Sequence, residues 1–329
     1  MKGELRAQCA ALVGFFSFAC TIVTGGAALA DQTSLDVGDA PIINLVARGK
    51  VSVQTWPRPQ VQAASNAPLT VRLIQARRLR SGVQPEIRVL SGSVAGPRGA
   101  VSLPEETFVL SPGDDAAHAA VMIKAEGSDT TIKIPASTAL FVSRMRHGVL
   151  RIENYARGTF VVRVHTGAVL LQNMGGDGFV QVLRGRIVAR DSSFNRLRER
   201  TARGDISFER CNAKQIQVTS VDGSIRYDHG KFEPGLAQFE SVNGNVTLGI
   251  ATGGAQITAR SGVGRVFHTV NATIGGGGPL VTAASTNGAI FLYDRRSRGQ
   301  HPPQWHARRP GTRMPRIKAK ISLGRPHQA

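Results

Sequence analysis

Apolar and polar residues alternate with period two along much of this chain, and the alternation restarts after a glycine at nearly even intervals. Ile206-Ser207-Phe208, Ile225-Arg226-Tyr227, Val246-Thr247-Leu248 and Ile290-Phe291-Leu292 are such runs. Alternation of this kind marks a strand with one face in a core and the other in water. Each run opens on a Gly-x-apolar unit, with glycines at Gly148, Gly167, Gly185, Gly204, Gly223, Gly244, Gly264 and Gly288. The interval of about 20 residues lies in the range of solenoid repeats. A second β-like run precedes several of these glycines, as in Ile216-Gln217-Val218, Ala237-Gln238-Phe239 and Ala255-Gln256-Ile257-Thr258. The residue before the glycine is Asp222, Asn243 or Asn287 in three units, and Asp-Gly and Asn-Gly suit a corner that needs positive φ.

One unit is therefore a strand, a glycine corner and a second strand, which alone buries too little to be stable. Stacking the units lays each apolar stripe over the next and closes a continuous core. No helical period interrupts this region, and an aromatic content of 5% suits a narrow core of Val, Ile and Leu. The pattern predicts an all-β, single-domain parallel β-helix, or β-solenoid, with coils of about 20 residues. An antiparallel sandwich of hairpins is the alternative, since the same dipeptides make hairpin turns. Gly49 to Trp56 looks like an early unit, and the less regular stretch from Leu69 to Val121 is expected to cap the first coil. The expected organisation is a leader over 1–30, a β-rich coil and cap over 31–135, repeats over 136–294 and a basic Pro/Arg-rich tail over 295–329.

The N-terminus reads as a secretory signal. Lys2 and Arg6 precede an apolar run from Ala10 to Val23, and Ala28-Leu29-Ala30 is a small-x-small cleavage site, predicting a mature start at Asp31. The apolar run is short for a spanning helix and Gly25-Gly26 interrupts it, so no transmembrane helix is expected after cleavage. Acylation of Cys20 is the other reading of this leader, but Ser17 and Phe18 fit a lipoprotein signal poorly. Removing the leader takes Cys9 and Cys20 with it. Cys211 then remains alone, which excludes an internal disulfide framework and suggests a buried, inert thiol. The expected location is the periplasm, outer envelope or exterior.

A formal charge of +19 is concentrated partly in the tail. Arg295, Arg296, Arg298, Arg308, Arg309, Arg313, Arg316, Lys318, Lys320 and Arg325 share it with no acidic residue. Such a segment attracts polyanions by Coulomb forces and counterion release, or simply keeps the protein soluble. In an exported protein the polyanion is an anionic envelope polymer or surface polysaccharide. Nucleic acid is a poor candidate, since Trp305 is the tail's one aromatic residue and bases need stacking platforms. Ile317 to Leu323 alternates and reads as a further edge strand.

The segment Ser220-Val221-Asp222-Gly223-Ser224-Ile225-Arg226-Tyr227-Asp228, followed by Phe232-Glu233-Pro234-Gly235 and Ser241 to Leu248, resembles the bacterial putative-adhesin family of exported β-solenoids, a domain of unknown function. Ile274-Gly275-Gly276-Gly277-Gly278-Pro279 with Ser285-Thr286-Asn287-Gly288 is similar to that family's last coil, and the Val51 to Trp56 strand also fits. The resemblance spans roughly Ala40 to Asp294 and implies the fold and export. It carries no catalytic or binding residues across, and the basic tail departs from it.

Catalysis remains the competing reading, because polysaccharide lyases and hydrolases are built on β-helices. They need clustered carboxylates on the outer face of adjacent coils. Asp205, Asp222 and Asn243 stand at related corner positions and are candidates for a polar ladder, which turn chemistry also explains. His147 and His165 precede neighbouring corners, without the further ligands a metal site needs. Gly275 to Gly278 lacks the Lys-Ser/Thr of a phosphate loop, and no nucleophile-elbow motif is present. No catalytic, cofactor or metal residues are assigned, and self-association through solenoid ends or faces stays open.

Overall fold

The computed structural model describes residues 31–77, 86–89, 93–96, 99–102, 106–109, 118–127, 129–250, 255–268 and 279–294. The leader, the Gly275–Gly278 run and the whole basic tail, with every polyanion-binding candidate from Arg295 to Lys320, lie outside them. The described part is all-β, and its main sheet has nineteen strands, most of them paired in parallel. No helix among the described residues is long and apolar enough to cross a membrane.

The sheet winds as a β-solenoid whose rungs each bend at a glycine, giving a first wall before the corner and a second wall after it. Leu140–Glu153 pairs in parallel with Thr159–Gln172, and that rung with Gly175–Arg190. Next come Ser193–Arg203 with Ile206–Glu209, then Asn212–Asp222 with Ile225–Asp228, then Lys231–Ser241 with Val246–Ile250. The alternation explains the packing directly. On the second wall Val51, Leu150, Val169, Ile187, Ile206, Ile225, Val246 and Ile290 occupy one register position on successive rungs, and all are fully buried. Burying such a side chain stabilises the fold by roughly 1.5–3 kcal/mol before conformational entropy is charged.

Sequential stacking, which the even repeat implies, fails at both ends. The rung Ile42–Trp56 lies between Leu140–Glu153 and a rung made of His118–Ala125 and Asp129–Pro135. At the other end Leu280–Ser285 and Ile290–Asp294 slot in beside Lys231–Ser241 and Val246–Ile250. Gln256–Ser261 and Val266–His268, earlier in the chain, are pushed to the outside, where among the described residues they pair on one side only. The coil that resembled a last coil is thus next to last in space. Antiparallel strands cover the first edge: Gln60–Ser65 pairs with Asp129–Pro135, Leu69–Arg77 with His118–Ala125, and Asp31–Asp36 with Gln60–Ser65. Two small hairpin pairings, Glu86–Val89 with Glu106–Val109 and Ser93–Gly96 with Gly99–Ser102, form separate sheets.

Candidate functional site

The corner glycines stand in one column in the spatial order Gly49, Gly148, Gly167, Gly185, Gly204, Gly223, Gly244, Gly288, Gly264. Two physical demands act on this column, and only one matches the expectation from Asp-Gly and Asn-Gly. Gly148, Gly167, Gly185 and Gly204 have φ between +132° and +144°, which a side chain rarely adopts. From Gly223 onward neither the glycines nor Asp222, Asn243 and Asn287 have positive φ. There glycine is required by contact, because a Cβ would overlap the carbonyl oxygen of the glycine on the next rung.

The expected polar ladder splits in two. Asp222, Asn243 and Asn287 form one row, with Asn243 Nδ2 donating to Asp222 Oδ1 at 2.5 Å and Asn287 Nδ2 to Asn243 Oδ1 at 2.6 Å. Asp205 stands on the far side of the glycine, where its Oδ1 accepts the Ser224 amide at 2.7 Å, and Asn245 Oδ1 likewise accepts the Ala289 amide at 2.8 Å. Asp205 and Asn245 thus terminate corner backbone groups, while Asp222, Asn243 and Asn287 bond one another. His147 stands opposite Thr166, one step from His165, whose Nδ1 lies 3.1 Å from Thr166 Oγ1, so the two rings do not stack. No group of three metal-ligating side chains forms among the described residues. Cys211 is buried with Sγ 3.4 Å from the Glu209 carbonyl, and burial pushes its thiol up to about 12.

A second corner was missed from sequence. Asn154, Asn173, Asp191, Arg210 and His229 follow the second wall with φ between +50° and +62°. Asn173 Nδ2 donates to Asn154 Oδ1 at 3.1 Å, so this corner carries its own short ladder. The recurrence of Asn154, Asn173 and Asp191 at the coil interval was a usable signal, since these residues tolerate the left-handed region. Arg210 and His229 gave none.

The two walls differ in their outward chemistry. On the second wall several charges are matched: Arg190 Nε meets Glu209 Oε2 at 3.1 Å, Arg226 Nη2 meets Asp228 Oδ2 at 3.1 Å, and Arg151 pairs with Glu153. Asp228 also takes His229 Nδ1 at 2.7 Å, and the half-buried Tyr293 phenol beside it is pushed up to about 12 by burial and then by Asp228. On the first wall a groove of about 400 Å³ crosses five rungs. Its outward lining is Thr159, Asp177, Arg196, Arg198, Gln215, Gln217, Leu236 and Gln238, and Arg196 Nε donates to Asp177 Oδ2 at 3.1 Å. Amides, a hydroxyl and guanidiniums in a shallow trough offer hydrogen bonds to an extended polar chain. The rungs beside the groove are basic over both walls and the corners together, with twelve arginines against four acids from Leu140 to Gly204.

Fold and faces together define a β-solenoid with ion pairs along its second wall and a groove across its first. Comparison with known proteins adds little. No family model matches the chain. No curated protein matches it. Among solved structures, a putative cell adhesion protein from Clostridium sporogenes aligns over 81% of this chain and 100% of its own, at 9% identity and a TM-score of 0.29. A likeness that slight transfers neither fold nor role.

Proposed function

We propose that this is an exported, non-enzymatic, adhesin-like β-solenoid of the cell envelope or surface, of the kind its repeats resemble, and that it holds an extended anionic polymer. The groove on the first wall carries this reading. It is long, open and lined by hydrogen-bonding groups, whereas the second-wall carboxylates Glu153, Glu209 and Asp228 are each engaged by a neighbouring arginine. A lyase or hydrolase on this scaffold needs paired carboxylates free to act on a sugar. The basic tail adds a long-range attraction that concentrates a polyanion near the solenoid.

Binding of the mature protein to purified envelope polymers across a salt series, with and without Arg295 to Ala329, tests the reading. Binding that weakens steeply with salt and falls on loss of the tail is expected. Equal binding by both forms removes the tail from the account. Absence of binding in either form overturns the reading and returns the polysaccharide lyase or hydrolase alternative to the front.

A further inference from the structure

The solenoid body itself carries an unmatched ladder of guanidiniums, apart from the tail. Arg144 is in register with Arg163 on the next rung, and both lie on the outward face of the first wall. Parallel strands lie about 4.8 Å apart, so register brings two like charges to neighbouring positions, and their repulsion costs energy unless something shares them. No described carboxylate lies within ion-pair range of either. Burial and then the charge of Arg144 hold Arg163 below the usual guanidinium range, and its Nε is buried without a partner. Arg146 and Arg184, just before their corner glycines, and Arg186, just past its own, are exposed and equally without a described acid. Elsewhere on the body arginines of both walls meet an acid, as Arg196 meets Asp177 and Arg190 meets Glu209. A cluster left unpaired and like-charged fits an anion supplied from outside.

We propose that Arg144, Arg146, Arg163, Arg184 and Arg186 form a track that binds an acidic polysaccharide running across the rungs. The proposal rests on the polymer-binding reading above and gives it a place on the folded body. Carboxylates repeated along a sugar chain meet guanidiniums repeated along the rungs, and the neighbouring groove, with Thr159, Gln215 and Gln217, takes the hydroxyls. A nucleic acid fits less well, because among the described residues no exposed aromatic ring interleaves with these arginines to stack a base.

The test uses the full chain and two variants of equal charge loss. One carries Arg144→Gln, Arg163→Gln, Arg184→Gln and Arg186→Gln; the other carries Arg308→Gln, Arg309→Gln, Arg313→Gln and Arg316→Gln in the tail. Polygalacturonate is the probe, its methyl-esterified form the uncharged control, and single-stranded DNA the competing polyanion. The track variant should lose at least about tenfold in affinity for polygalacturonate, and its log K against log salt should flatten by roughly one per arginine removed. Esterification should abolish the difference between parent and variant. If the track variant cannot be produced folded, the exposed pair Arg184→Gln and Arg186→Gln is read instead, and should show about half the loss of slope. Parent-like binding by a folded track variant, with loss confined to the tail variant, overturns the track and leaves the polymer-binding reading standing. Failure of the parent to bind any acidic polymer overturns both. Tighter binding of DNA than of polygalacturonate overturns the ligand class.

Discussion

Glu199 sits where a valine belongs. It occupies an inward row with Val162, Val180, Val218 and Phe239, is fully buried, and neither carboxyl oxygen has a hydrogen-bond partner. Burial raises its pKa well above the ordinary 4.5, so the folded protein holds a proton there that the unfolded chain releases. Above pH 4.5 the native state therefore binds about one proton more than the unfolded state. Stability falls by about 1.4 kcal/mol per pH unit until Glu199 ionises in the fold. The contribution is fully present below 4.5 and is lost as pH rises. Glu199→Gln keeps the shape and removes the titration. Urea unfolding of parent and variant at constant ionic strength isolates the effect, because other titrating groups cancel in the difference. From pH 5 upward the variant's advantage should widen with pH for as long as Glu199 stays protonated in the fold. A difference that stays flat over that range would mean that Glu199 is ionised or solvated in the native state, and the reasoning fails.

Three further outcomes follow from the packing. Gly185→Ala forces a Cβ into the Gly167 carbonyl at φ +140° and should cost on the order of 3 kcal/mol or prevent folding; a parent-like thermal midpoint would show that the glycine column is not under contact. Tyr227→Phe removes a buried hydroxyl that donates to the Cys211 carbonyl at 2.5 Å, and should lower stability by about 1–2 kcal/mol in denaturant titration, whereas an unchanged midpoint would imply that the carbonyl finds another donor. With its thiol pushed up to about 12, Cys211 should react with an aromatic disulfide reagent at pH 8 only as fast as the protein opens, and immediate labelling of native protein would contradict its burial.

The coil was legible because its signals are local. Period-two alternation and a glycine every 18 to 21 residues from Gly148 to Gly244 are both written into short windows. What escaped the sequence was the pairing between windows. Arg144 and Arg163 are unremarkable one at a time, and the ladder exists only once register places them on adjacent rungs. Glu199 alternates in phase with the apolar positions, yet its inward direction depends on which side of the strand faces the core. The second corner was half visible through Asn154, Asn173 and Asp191, then hidden where Arg210 and His229 take the same backbone shape. Asp205 and Asp222 flank their glycines on opposite sides, and two residues of offset were enough to separate them into different rows.

Rung order was the hardest feature to read, because apolar columns are nearly degenerate: Val246 could rest on Val266 as well as on Ile290, which it actually meets. Polar corner side chains are not interchangeable in this way. The row Asp222, Asn243, Asn287 is closed by amide hydrogen bonds, and the position equivalent to Asn287 on the coil before it is Val263, as the Val263 amide bonding to the Thr286 carbonyl shows. Stacking in chain order would set Val263 between Asn243 and Asn287, leaving each amide without its neighbour and a valine among polar groups. The observed order keeps the ladder unbroken and leaves Val263 at the outer end, 79% exposed. Buried rows thus provide most of the stabilisation of the solenoid, while the side-chain amides at the corner favour the observed rung order over the one that follows the chain.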